Sequence, residues 1–245
     1  MPGAPPMRPV GAAATFLATR LAWHRAAEHV VAKARYLDDG EIRLTAWPGG
    51  FATPSLAGGR RVGVRLTSVV VEEHGESRSA PLSTLREAAA FVGVEAGFPS
   101  ELYPPATPCL PDEPLDVDPA EGEVLAAWYE RTAAVLGRFR LELGGSDPTP
   151  LILWPEHFDQ AFVTEDAAER RRANFGASPG DDGHPEPYLY VGPWGTVPDD
   201  PFWDAPHFPG ALLGLDALAA AADPDAAALA FLRRGRALLE DQLAS

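Results

Sequence analysis

Apolar residues recur at helical spacing through residues 12–36, where Phe16, Leu17, Leu21, Trp23, Ala27, Val30, Val31 and Ala34 share one broad stripe. The spacing predicts a long first helix after a Pro/Gly-rich tail over residues 1–11, expected to be poorly ordered. Glu41–Trp47 then alternates like a half-buried strand and closes at Pro48-Gly49-Gly50. Val62–Glu73 reads as a further strand, and His74-Gly75-Glu76 as a hairpin tip returning through Ser77–Leu82. Thr84 and Glu87 stand at capping-box spacing ahead of a short helix.

Between Phe98 and Pro119 lie seven prolines, which exclude a helix interior or a central strand. Leu102, Tyr103, Leu110 and Leu115 within it predict an extended, anchored strap over 98–118. Asp118-Pro119-Ala120-Glu121 is a strong helix start, and the stripe from Val124 to Phe139 carries that helix to about Leu141. Strands are predicted at 151–163 (broken near Pro155), 173–177 and 187–191, then a Pro/Trp/Asp-rich loop to Pro209. A short helical piece near 212–222 and a terminal helix opened by Asp223-Pro224 complete the chain.

The two halves can be laid on each other. Trp23–Tyr36 matches Trp128–Leu141 without a gap, and Trp47-Pro48-x-x-Phe51 resembles Trp154-Pro155-x-x-Phe158. The expected fold is therefore α+β: one domain over 12–245 made of two related helix-plus-antiparallel-strand halves, 12–97 and 119–245, packed about a pseudo-twofold axis and joined by the strap.

Composition narrows the function classes. A net charge of −15 argues against phosphate-neutralising nucleic-acid binding and against docking on anionic membranes. The single cysteine, Cys109, excludes an intrachain disulfide framework, and no run approaches membrane-spanning length, so a cytoplasmic location is expected. Walker A, dinucleotide and His-Glu-x-x-His motifs are absent from the sequence. Nothing local activates Cys109 as a nucleophile.

The candidate chemistry gathers in 151–194. If the segment around Glu156 is extended, period two places His157 and Asp159 on one face, as a general base with its carboxylate or as metal ligands. The ordinary alternative is a loop histidine with Asp159 capping a turn. Asn174, Ser178, Asp181, Asp182, His184 and Glu186 surround fixed turns; the set His157, Asp181, His184 and Glu186 admits a divalent metal. The competing reading of 181–186 is a solvated Asx-turn. Tyr188, Tyr190 and Trp194 share one parity and suit ligand stacking or packing. On the first helix His24 and Arg20 fall inside the apolar stripe with Glu28 at its edge, so that His24 either joins the site or belongs to a structural network.

The first helix ending Lys33-x-Arg35, the turn Gly50-Phe51-x-Thr53-Pro54, the second helix ending Arg138-Phe139-x-x-Glu142, Phe158-Asp159, Pro187-x-x-Tyr190 and Asp223-Pro224-Asp225 follow one another in order. In that order the chain resembles a bacterial family classed as a domain of unknown function. The resemblance implies no mechanism. The functional expectation is binding of a small polar ligand at the 151–194 surface, with metal-assisted hydrolysis or hydration as the enzymatic form. The alternative is a non-catalytic interaction or structural protein using the Trp/Tyr/Pro-rich surface 188–208, where a partner could be a second copy of the chain.

Overall fold

The computed structural model describes residues 8–144, 148–164, 172–197 and 199–241. The fold is α+β, with helices beside two five-stranded antiparallel meanders. The chain forms two compact units. Unit 2 comprises Val10–Glu130 and Leu153–Phe158; unit 1 includes Arg131–Ile152 and Asp159–Ser245. The division falls inside a helix rather than in the strap, which lies wholly in unit 2.

In unit 2 the first helix runs as α1 (Ala13–Ala26), a π-helical turn (Ala27–Ala32) and α2 (Lys33–Asp39), ended by the left-handed Gly40. All six residues of the π turn are buried, including Glu28 and His29. Of the tail expected over 1–11, residues 1–7 lie outside the described residues, while the Gly11 N–H donates to the Glu121 carboxylate at 3.2 Å. The sheet order is β1 (Thr45–Trp47), β2 (Gly50–Ala52), β3 (Arg61–Arg65), β4 (Ser68–Glu73) and β5 (Glu76–Pro81). The single strand predicted over 62–73 is two: the chain turns at Leu66, whose φ is 49°, and the Leu66 N–H is taken by the Gly49 carbonyl. The hairpin tip is as predicted, with His74 and Gly75 both at positive φ in a two-residue loop. Thr84 caps α3 (Leu85–Val92) by accepting the Glu87 N–H at 3.1 Å.

The strap contains no helix or strand. It is held to the π turn by two successive side chains. Glu28 accepts from the Ala106 N–H (2.9 Å), the Thr107 N–H (2.8 Å) and the Thr107 hydroxyl (2.5 Å). His29 accepts the Phe98 N–H on Nδ1 and donates from Nε2 to the Thr107 carbonyl at 3.0 Å. Residues 98–107 thus form an arch with both ends fixed on neighbouring helical residues.

The helix α4 (Pro119–Glu142) starts at Asp118, whose Oδ1 accepts from Ala120 and Glu121. The rest of unit 2's core surrounds Phe158, which meets Phe51 at 5.3 Å and Tyr129 at 5.4 Å between ring centroids; Tyr129 also donates its hydroxyl to the Phe158 carbonyl at 2.6 Å.

The second sheet, in unit 1 except for Leu153 and Trp154, has the order β10 (Ala211–Gly214), β9 (Tyr188–Pro193), β8 (Ala173–Ser178), β7 (Asp159–Thr164) and β6 (Ile152–Trp154). The chain enters β10 where a helical piece was predicted, and the helix there is only α5 (Leu215–Ala220). The terminal helix α6 (Pro224–Asp241) is capped as expected, Asp223 Oδ1 accepting from Asp225 and Ala226. One sheet face buries Phe162, Phe175, Leu189 and Val191, with Phe139 of α4 5.1 Å from Phe175.

The two meanders fit the duplication read from the sequence. Each follows a long helix, and each places its Trp-Pro-x-x-Phe at the first turn: Trp47 ends β1 with Phe51 in β2, and Trp154 ends β6 with Phe158 just ahead of β7.

Candidate functional site

The second face of the unit 1 sheet follows from its register. Ser178 pairs with Tyr188 and Gly176 with Tyr190 across β8 and β9; Tyr188 and Tyr190 pair in turn with Gly214 and Leu212 of β10. Because side chains alternate, Asp159, Ser178, Asn174, Tyr188 and Tyr190 project together, away from the apolar core. The shared parity of the tyrosines is therefore as the sequence indicated.

The Tyr190 ring lies flat across β8 and donates its hydroxyl to Asp159 Oδ2 on the strand beyond. Gly176 makes this possible: a Cβ there would stand 2.5 Å from both the Tyr190 Cζ and its hydroxyl oxygen. Asp159 is only 7% exposed. Burial first, then the Asp159 charge and its hydrogen bond, hold the Tyr190 phenol well above its ordinary ionisation range.

Tyr188 makes the matching pair with Asp181, donating to its Oδ2. Asp181 Oδ1 also accepts the Gly183 and His184 N–H groups at 2.7 and 2.8 Å, and the Asp181 N–H returns to the His184 carbonyl at 2.8 Å. The 181–184 loop is thus an Asx-turn, and that turn aims Asp181 at the sheet. Burial, followed by the hydrogen bond to Asp181, raises the Tyr188 phenol as well. His184 meets Tyr188 edge-on, with ring centroids 5.1 Å apart. At the other end of the face the Trp194 indole N–H donates to Asn174 at 2.9 Å, and the Arg172 guanidinium lies 3.7 Å over the Trp194 ring.

His157 requires a correction. The segment is not extended: residues 155–158 are a turn closed by the Phe158 N–H to the Trp154 carbonyl at 2.8 Å, with Phe158 in the left-handed region at φ 54°. That backbone reversal breaks the period-two argument. His157 is exposed while Asp159 is buried, and the two belong to different units. His24 is likewise in unit 2, where Nε2 donates to the Pro155 carbonyl at 2.8 Å and the ring stacks on Phe158 at 5.0 Å and 8°. Burial lowers its pKa to about 4, so the ring is neutral at neutral pH.

Among the described residues no three His, Cys, Asp or Glu side chains are grouped to hold a metal ion, so the set His157, Asp181, His184 and Glu186 is not assembled. The reasons are local. His157 points out from its turn, and both Asp181 oxygens already accept from loop N–H groups and Tyr188. Cys109 is exposed and its thiol is pushed up by burial of its surroundings, the opposite of activation.

The polar residues that sequence reasoning missed are in unit 2. His29 and Thr107 were not singled out, and Glu28 was placed at the edge of its stripe although it is fully buried. A glutamate and a histidine between Ala27 and Val30, in the middle of an apolar run, were the signal. No protein family, curated protein or solved structure compared with this chain matches it.

Proposed function

We propose that the chain binds a small polar ligand on the Tyr188/Tyr190 face of unit 1. The observation that carries this reading is the pair of neighbouring Tyr–Asp contacts, Tyr190 to Asp159 and Tyr188 to Asp181. Two carboxylates and two phenols, Asp159 and the tyrosines on paired strands and Asp181 on its Asx-turn, provide donors and acceptors beside aromatic rings. The face is half-exposed at Tyr190, Leu212 and Gly214 and closes toward Asp159, which gives a ligand an open approach and an enclosed polar end. No metal is invoked.

Saturation-transfer NMR with a panel of small amines, amino acids, carboxylic acids and polyols tests the reading. At least one class should show transfer with the wild-type chain and lose it in Tyr190→Phe and Asp159→Asn. A panel silent throughout, or signals unaffected by both changes, would reject it.

One observation favours the interaction reading: Trp194 is 55% exposed at the end of the same strand. The neighbouring aromatics do not extend that surface, since Phe202 packs on Trp203 and Phe231 at 4.8 and 5.1 Å. If Trp194 anchors a partner or a second copy, Trp194→Ala changes the sedimentation coefficient of the chain at high concentration.

A further inference from the structure

We propose that the ligand of this face is an organic cation of the alkylammonium class. The inference rests on the ligand-binding reading above and narrows it.

Three rings form a corner over the face. Tyr188, Tyr190 and Phe208 have centroids 6.1, 6.5 and 6.0 Å apart in the three pairs, with planes inclined by 56°, 23° and 78°. His184 adds a perpendicular edge against Tyr188. Tyr190 and Phe208 are half-buried and Tyr188 is buried, so solvent reaches the corner at Tyr190 and Phe208. Ring faces carry negative quadrupole potential, and several rings in inclined planes surround a cation where a single stack could not.

Two carboxylates adjoin the rings, the buried Asp159 and the exposed Asp181, each receiving a phenolic hydrogen bond. Burial and those same carboxylates keep both phenols protonated, so neither ring adds a charge and the two carboxyl groups are the acidic groups of the face. The four strands β7 to β10 contain no lysine or arginine. Arg172, just before β8, lies over the Trp194 ring at the far end of the face. An anion arriving here would meet two carboxylates and no cation. A neutral polyol would forgo the ring and charge attraction alike. The chain's net charge of −15 adds a long-range field of the same preference.

An alkylammonium is favoured over a guanidinium or a metal ion for a chemical reason. Asp181 already accepts three hydrogen bonds and Asp159 accepts from Tyr190. A guanidinium needs several free acceptors in a plane, whereas a methylated ammonium needs only polarisable walls and a nearby negative charge.

Calorimetric titration of the full chain at low salt with choline and with 3,3-dimethylbutan-1-ol, its neutral isostere, provides the test. Choline should bind about tenfold or more tightly than the alcohol, a ratio that corresponds to the upper range of a ring–cation contact plus charge. The preference should shrink as sodium chloride is raised and fall about tenfold in Asp159→Asn. Phe208→Leu, which keeps the apolar surface and removes one ring, gives a second readout if Asp159→Asn fails to fold. Equal or tighter binding of the alcohol overturns the cation assignment and leaves the ligand-binding reading intact. Absence of binding by choline also overturns it. If the wider panel above is then silent too, the underlying reading falls with it.

Discussion

The hydroxyl of Tyr190 reaches Asp159 by crossing an entire strand, and the absence of a side chain at Gly176 is what lets it pass. Gly176→Ala should therefore act as a change at the site. Its Cβ would overlap the ring, which must shift and release the carboxylate. Overpacking of this kind costs about 1–3 kcal/mol, and Tyr190→Phe, which leaves a buried carboxylate short of a donor, about 1–3 kcal/mol. Urea titrations read both. If Gly176→Ala and Tyr190→Phe together cost as much as their sum, the two residues are not coupled and the crossing geometry is wrong.

The arch over 98–107 leads to a second expectation. Glu28→Ala removes the acceptor of three hydrogen bonds, leaving the buried Thr107 N–H and hydroxyl and the part-buried Ala106 N–H without it. The loss should be about 2–4 kcal/mol, with amide exchange at Ala106 and Thr107 accelerating more than exchange in β3 or β4. Uniform acceleration across unit 2 would instead mean the arch has no local stability of its own.

What could be read in advance differs between these two places. Capping by Thr84, Asp118 and Asp223 is local chemistry within three residues, and the structure shows each one as the sequence indicated. The parity of Tyr188 and Tyr190 is equally local. Their partners are not: Asp159 is 31 positions from Tyr190, and only the register of β7, β8 and β9 brings it across. Glu28 and His29 find the strap 78 and 79 positions on. The π turn that buries both is set by what packs around it, so a helical stripe drawn at regular spacing misplaces Glu28 at an edge. The same holds for Phe158, whose left-handed backbone defeated the alternation argument for His157 and Asp159. A buried apolar ring at positive φ is a tertiary outcome that no propensity announces.

His24 makes stability pH-dependent in a defined window. In the unfolded chain its imidazole takes a proton near pH 6.5, whereas burial in the folded unit delays this to about pH 4. Between those values the unfolded state binds more protons, so the contribution is complete above pH 6.5 and is lost as pH falls toward 4. Its size is at most about 3 kcal/mol. His29, also lowered by burial, acts with the same sign. Glu28, raised by burial, acts oppositely: the native state holds its proton longer, so stability from that group falls as pH rises through the folded value. Comparing denaturation of wild type and His24→Gln from pH 4 to 7 isolates the histidine. The variant should show a flatter rise across that range, and an unchanged slope would exclude His24 as the titrating group.

The turn at 155–158 sets two adjacent residues in opposite roles, which yields the sharpest contrast. Phe158 is 1% exposed and touches His24, Phe51 and Tyr129. Its truncation to alanine leaves a cavity at the centre of unit 2 and should cost about 3–5 kcal/mol. His157 is exposed on the same turn, so His157→Ala should change stability by no more than about 0.5 kcal/mol. It should also leave binding at the Tyr188/Tyr190 face unaltered, because the polar contacts of that face are made by Tyr190 with Asp159 and Tyr188 with Asp181. A general base at His157 would differ in the second readout alone, with stability kept and ligand affinity or turnover lost. Parallel melts and titrations of the two single variants therefore separate a structural turn from a chemical one. If His157→Ala abolishes binding, the site must be extended to include this turn.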